Sequence, residues 1–370
     1  MPVQFLRGLL LIPLIALMSG CHAIVLSPAG DVAVQQRNLV IASTALMLLI
    51  IVPVIVLTLL FAWRYRASNT DPKVVYDPGW HHSTQLELVI WSAPLLIIIA
   101  LGALTWIGTH TLDPYRPIER LDASRPLPTD HEPLQVQVVA MDWKWLFIYP
   151  EQGIASLNEL AAPVDVPIRF QITATSVMNT FYVPALAGMI YAMPAMETQL
   201  NAVINKTGEF NGFSANYSGR GFSDMHFAFR GMTQEDFDAW VQKIKADGGA
   251  LRRADYMELE KPSEREPVRH YASVDDGLFR KILNMCVDPS KMCNDEMMAI
   301  DRKGGLGMNG VYNVGRLAYD RPRAWGRQAT SSGDYVLAMC SNDVAPPLTS
   351  PVAAPRAADD AVPASARASD

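Results

Sequence analysis

Two long stretches rich in Leu, Ile and Val carry no charged side chain: residues 38–63 and residues 88–109. Wound as helices at about 1.5 Å per residue, each is long enough to cross a hydrocarbon core of about 30 Å. The run from Leu39 to Phe61 is dense in Leu, Ile and Val, with Pro53 inside it as an expected kink. The second run has Trp91 and Trp106 near its ends, where indole rings favour the membrane interface. Transmembrane helices are therefore expected over 38–63 and 88–112, joined by a loop over 64–87. Two spans return the chain to the side on which it started, so everything after residue 112 folds opposite that loop. Charge bias sets the direction only weakly, with Arg64, Arg66 and Lys73 in the loop against Arg37, Arg116 and Arg120 outside it.

The leader supplies the orientation. Arg7 is followed by an uncharged stretch from Gly8 to Gly20, too short to span a bilayer, and then by Ser19, Gly20 and Cys21. A charged start, an apolar centre and small residues directly before a Cys resemble a bacterial lipoprotein signal. The resemblance implies a signal peptide over 1–20, diacylation of Cys21 and a periplasmic segment over 21–37. Residues 64–87 then face the cytoplasm, and the bulk of the chain lies in the periplasm at the inner membrane.

Net charge is −6, and only 18% of the 370 residues are charged, with no basic cluster of the density that tracks phosphates. A nucleic-acid partner is excluded. The four cysteines, Cys21, Cys286, Cys293 and Cys340, are too few for a disulfide scaffold and lack zinc-ribbon spacing. With Cys21 acylated, at most one disulfide forms within the chain, and Cys286 with Cys293 is the expected pair.

After a Pro-rich linker over 113–133, residues 134–140 alternate apolar and polar as a half-buried strand does. Further short strands are expected over 143–149, 167–174, 181–183, 189–192, 198–205 and 226–229, bounded by Pro, Gly and Asn. Such spacing without long helices between implies an antiparallel sandwich or barrel, assigned to residues 134–232. Residues 233–245 open with a Thr and an acidic turn and close with lysines, which predicts a helix at the start of a partly helical extension over 233–343. The Ala, Pro and Ser composition of 344–370 predicts a disordered tail.

Three residues at the cytoplasmic mouth stand out. Glu87 begins the second apolar run and is either a carboxylate favoured by the helix dipole or a group that takes up protons; position alone favours the first. His81 and His82 precede it, and adjacent histidines that point apart, with no third partner nearby, favour a solvated loop over a metal site.

Two segments carry a family resemblance. Ser176-Val177-Met178-Asn179-Thr180-Phe181-Tyr182-Val183-Pro184 and Gly212-Phe213-Ser214-Ala215-Asn216-Tyr217-Ser218-Gly219-Arg220-Gly221-Phe222-Ser223-Asp224-Met225, placed after two helices, resemble subunit II of the haem-copper respiratory oxidases. In cytochrome c oxidases of that family, the corresponding positions hold a His, two Cys, a Glu that ligates through its carbonyl, a second His and a Met around a binuclear copper centre on a cupredoxin fold. Here those positions are Asn179, Ser214 and Ser218, Asn216, Phe222 and Met225, so only the Met is of ligand type. Serine hydroxyls are neither soft nor ionised enough to replace two bridging thiolates, and the resemblance therefore implies no metal in this chain. His226 follows Met225 directly, four positions from where a ligand is needed, and is expected on another face of a strand.

An erased copper site is similar to the bo-type ubiquinol oxidase branch, as are Phe61 to Asn69, Ala140 to Gly153 and the lipoprotein Cys. The similarity runs over roughly residues 15–285. It implies a membrane-anchored all-β protein, with two transmembrane helices in a hairpin, a cupredoxin-like β-sandwich and a helical C-terminal extension. It further implies an accessory subunit without a catalytic residue, cofactors (haems and copper) confined to subunit I, and partnership with subunit I, other oxidase subunits, ubiquinol and membrane lipid, but not with cytochrome c. Glu87 falls at the family's mouth of a proton-uptake path. Trp143, Trp145 and Tyr149 fall on a strand near the electron-receiving surface of copper-bearing relatives, and serve packing and docking here. Two alternatives stay open: a copper-bearing cytochrome c oxidase subunit II, which is an electron carrier, and a lipid-anchored envelope scaffold.

Overall fold

The computed structural model describes residues 24–69, 77, 79–128 and 131–302. Cys21, Cys340 and the 344–370 tail lie outside the described residues. Both apolar runs form helices long and apolar enough to cross a membrane, α1 (Asp31–Arg64) and α2 (Thr84–Thr111). Their surfaces are exposed Leu, Ile and Val almost throughout, as lipid contact requires. Helix α1 starts ahead of the uncharged run because its first turn lies against the sandwich. There the Asp31 carboxylate, nearly buried, accepts from Arg120 Nε at 3.0 Å and Gln35 Nε2 at 2.7 Å. The helix continues through Pro53, and α2 likewise contains Pro94.

The chain beyond α2 builds a cupredoxin-like sandwich of two sheets from β1 (Leu134–Met141), β2 (Lys144–Tyr149), β3 (Ile154–Leu157), β4 (Glu159–Pro163), β5 (Pro167–Ala174), β6 (Asn179–Tyr182), β7 (Ile190–Ala192), β8 (Thr198–Val203), β9 (Gly208–Ser214), β10 (His226–Met232), β11 (Gly249–Leu251) and β12 (Arg269–Val274). One sheet has the order β11-β12-β3-β2-β1-β5-β8, the other β4-β10-β9-β6-β7. The sandwich is mixed rather than antiparallel as expected from strand spacing: β1 with β5, β4 with β10, and β11 with β12 run parallel. Spacing reveals strand count but not which strand returns beside which, and here connections cross between sheets.

Aromatic rings fill the space between the sheets. Trp145, Phe147, Phe170, Phe181 and Phe227 are buried, with Phe181 stacked on Phe227 at 5.5 Å and edge-on to Trp145 at 5.7 Å. Full burial stabilises each such side chain by about 1.5–3 kcal/mol. Strand β2 is buried on both faces: Trp145, Phe147 and Tyr149 point into the sandwich, while Leu146 and Ile148 point into a second core with Tyr256, Leu278, Phe279 and Ile282. That second core belongs to the extension, whose helices are α3 (Gln234–Asp247), α4 (Arg253–Leu259) and α5 (Leu278–Leu283). Helix α3 follows its predicted start, with Thr233 Oγ1 accepting from Asp236 N at 3.2 Å. The buried Glu159 carboxylate ties sandwich to extension, meeting His270 Nε2 at 2.6 Å, Trp240 Nε1 at 3.2 Å and Arg230 Nε at 3.2 Å.

Asn158, with φ 56°, carries the chain from β3 in one sheet to β4 in the other, a left-handed turn that Asn tolerates. Gly30 fixes the root of α1. Its N–H and that of Ala29 both donate to Ala185 O, and a Cβ at Gly30 would lie 2.5 Å from Val203 O. Residues 289–302 belong to a separate unit, in which α6 (Asn294–Arg302) is the helix described. Cys286 and Cys293 are both disulfide-bonded.

Candidate functional site

The positions singled out around Asn179 and Ser214 come together at one end of the second sheet, where β6 and β9 pair through Phe181 and Ser214. Asn179 and Ser214 are buried. The Ser214 hydroxyl has two acceptors within reach, Asn179 Oδ1 at 3.1 Å and Asn216 O at 3.2 Å, and itself accepts from Thr180 N at 3.3 Å. The amides continue the network, Asn179 Nδ2 donating to Val177 O at 3.2 Å and Asn216 Nδ2 to Met178 O at 3.0 Å. Ser218 Oγ lies 4.0 Å from the sulfur of buried Met225. Phe222 stands apart from this network, in a short 3-10 turn, its ring edge-on to exposed Tyr217 at 5.5 Å. His226 starts β10 on the exposed side, its Nε2 2.8 Å from Ser223 O.

These donors do not fit a binuclear copper centre. Two hydroxyls, two amides and one thioether offer no thiolate or imidazole, and the hydroxyl and amide groups already bond to one another and to the backbone. Among the described residues, no three His, Cys, Asp or Glu side chains gather in a metal-holding group.

Trp143, in the turn between β1 and β2, and Lys144, the first residue of β2, support this end of the sheet from opposite sides. Trp143, at φ 65°, donates from Nε1 to Ser218 O at 3.1 Å, and Gly221 lies so close to its ring that a Cβ there would overlap it. Lys144 is buried in spite of its charge, and Nζ donates to Lys261 O at 2.7 Å and Ser263 Oγ at 2.5 Å. Burial pushes its pKa down, partly offset by the nearby Glu266 and Asp142 carboxylates. Trp145 lies wholly inside the sandwich. Tyr149 does too, and its hydroxyl donates to Ala161 O and accepts from Ala161 N, both at 2.9 Å, while burial raises its pKa.

At the other end of the molecule, Glu87 sits in the first turn of α2. Ser83 is the N-cap, its hydroxyl accepting from Leu86 N at 3.5 Å. Glu87 Oε1 meets His82 Nδ1 at 2.8 Å, and His82 Nε2 reaches Thr84 Oγ1 at 3.2 Å. Both side chains of the pair are about half exposed. His81 points elsewhere, to Gly79 O at 2.7 Å. The sequence alone places His82 in a solvated loop; the Ser83 cap that follows it is the signal for the turn that brings it back to Glu87.

Two family models match the chain. Cytochrome C oxidase subunit II, periplasmic domain, matches residues 150–232, and COX Aromatic Rich Motif matches residues 245–290. The chain is 48% identical to cytochrome bo(3) ubiquinol oxidase subunit 2 of Pseudomonas putida over 72% of this chain and 82% of that protein. Identity to ubiquinol oxidase subunit 2 of Acetobacter aceti is also 48%, over 72% and 84% respectively. Among solved structures, the periplasmic domain of subunit II of cytochrome oxidase of Bradyrhizobium japonicum is 27% identical over 30% of this chain and 91% of that chain, with a TM-score of 0.29.

Proposed function

The chain belongs to the ubiquinol oxidase subunit 2 family, and from that premise we propose that it works as the non-redox subunit II of a bo-type terminal oxidase. In this reading the complex oxidises ubiquinol, reduces oxygen to water and pumps protons. The redox cofactors reside in subunit I, and this chain contributes no catalytic centre. What carries the reading is the Asn179, Ser214 and Asn216 network: side chains at the copper-ligand positions are spent on hydrogen bonds to each other and to the backbone. Cytochrome c has no electron acceptor to meet on this chain.

Glu87 serves as the proton-uptake group at the cytoplasmic mouth. Its support is the cap already supplied by Ser83, the half exposure of the carboxylate and the facing His82 imidazole. A carboxylate beside an imidazole at the water boundary holds a proton acceptor and a donor within one hydrogen bond. In this reading the sandwich lies in the periplasm at the inner membrane, and Cys21 carries the lipid anchor.

Detergent purification of the full chain from its native membrane tests the assignment. A haem-containing partner and quinol oxidase activity are expected to co-purify. A chain that purifies alone, or that brings a purple copper-thiolate absorption of its own, overturns it.

A further inference from the structure

The loop 214–225 is held from inside by Trp143, and a second segment grips it from outside. That segment is residues 261–266, between α4 and β12. Glu264 Oε1 meets Arg220 Nε at 2.6 Å, and Arg265 Nε meets Asp224 Oδ2 at 2.9 Å, so the charges alternate across the two chains. Arg220 also lies over the Trp143 ring at 5.9 Å. Arg265 adopts φ 56°, which turns successive side chains of the segment toward the loop. The segment is rooted at both ends in the sandwich: Lys144 Nζ binds Lys261 O and Ser263 Oγ, and Asn158 Nδ2 donates to Glu266 O at 2.8 Å.

A loop that wraps a metal is held by the metal bonds. The donors of this loop do not fit the metal, so its conformation needs another restraint. We propose that residues 261–266 are a strap that takes over the restraining role of the missing copper, clasping the loop through Arg220 and Asp224. The inference rests on the copper-free reading given above. The clasps are exposed ion pairs, each individually weak; the strap holds because Lys144 and Asn158 fix its ends, so a bond to Arg220 or Asp224 orders no additional free chain. The buried amine of Lys144 is the costly element, and two hydrogen bonds to one short segment account for its place.

Backbone hydrogen exchange in the full oxidase complex tests the strap. Arg220→Glu with Asp224→Arg opposes like charges at both clasps and is expected to accelerate exchange over 214–225 by about five-fold, at the scale of two weak pairs. Adding Glu264→Arg and Arg265→Glu reverses both polarities and is expected to restore wild-type exchange. Lys144→Met is expected to raise exchange over 261–266 and 214–225 together while β5 and β8 keep their protection. Unchanged loop exchange in the double variant, or failure of the fourfold variant to restore it, overturns the strap. A copper chelator added to the wild type separates the two readings: acceleration of loop exchange by the chelator would sink the copper-free reading itself, whatever the clasp variants do.

Discussion

Ser214 Oγ and Asn179 Oδ1 lie 3.1 Å apart, both side chains buried, where the paired strands β9 and β6 end side by side. Two polar groups with little water around them have only each other and the neighbouring backbone as partners, so each is worth more to the other than a surface contact would be. The contact engages a lone pair of Asn179 Oδ1 while Ser214 Oγ accepts from Thr180 N, so lone pairs that an incoming cation would need are already in use.

Removing both members of this pair is therefore expected to cost less than the two single removals added together. Ser214→Ala strands Asn179 Oδ1 and Thr180 N, at about 1–3 kcal/mol for buried groups left unpaired. Asn179→Leu leaves the hydroxyl with Asn216 O as its acceptor and removes the amide bond to Val177 O. Denaturant unfolding of the two singles and the double checks this, with the double expected below the sum of the singles.

Copper titration of the full chain is expected to give no purple thiolate absorption. Asn179→His, Ser214→Cys, Asn216→Glu, Ser218→Cys and Phe222→His together are expected to create it, because Asn179, Ser214, Asn216, Ser218 and Met225 already gather in one place. Phe222 now faces Tyr217, so the outcome depends on the 3-10 turn reorienting that one side chain. Absorption in the unmodified chain would contradict the donor chemistry.

Glu87→Gln in the complex is expected to slow quinol oxidation at saturating substrate while haem content is unchanged, because Gln keeps the volume but cannot carry the proton. Glu87→Asp is expected to recover much of the rate. His82→Gln removes the imidazole facing the carboxylate and is expected to reduce turnover less than Glu87→Gln does. Full activity in Glu87→Gln would return the carboxylate to a helix-dipole role worth about 0.3–1 kcal/mol.

Asp165 links the linker to the sandwich, with Arg125 Nη1 and Nη2 at 2.8 and 2.9 Å and Asn205 Nδ2 at 2.8 Å. The Arg125 guanidinium, followed by the Asn205 amide, holds its carboxyl below the usual carboxylate range. Unfolded, the group ionises near pH ~3.9; folded, it ionises lower. Its stabilisation is thus complete above that pH and is lost as pH falls through the folded value. Thermal unfolding of the wild type is expected to lose stability over that acid window, and Asp165→Asn to lose less. The effect is modest, since the pair faces solvent.

Composition made the helix hairpin legible, and alternation made β1 and β5 legible, because each of those strands has one face against the core and one less buried. Strand β2 gave no alternation: its outward side chains are covered by Tyr256 and Ile282, which follow more than a hundred residues later. Strands β3 and β4 are short, and the Asn158 turn between them reads as a loop until the sheets are seen to be different ones. The lost ligand positions were legible as residue types, but their mutual hydrogen bonds were not, since Ser and Asn have no obligatory partner in sequence. Lys144 left one overlooked signal, a lone charge between two tryptophans in an otherwise apolar strand.

The pairing of β12 with β3 has a consequence for how the chain reaches its final form. As the polypeptide emerges N-terminus first, β2 can occupy one side of Ile154–Leu157 at once, but the other side is completed only when Arg269–Tyr271 arrive. During synthesis that bare edge offers amides and carbonyls to any neighbouring nascent chain, the geometry that seeds intermolecular sheets. A product cut short before residue 269 would keep that edge open permanently, so the C-terminal extension closes an edge that the earlier strands leave bare.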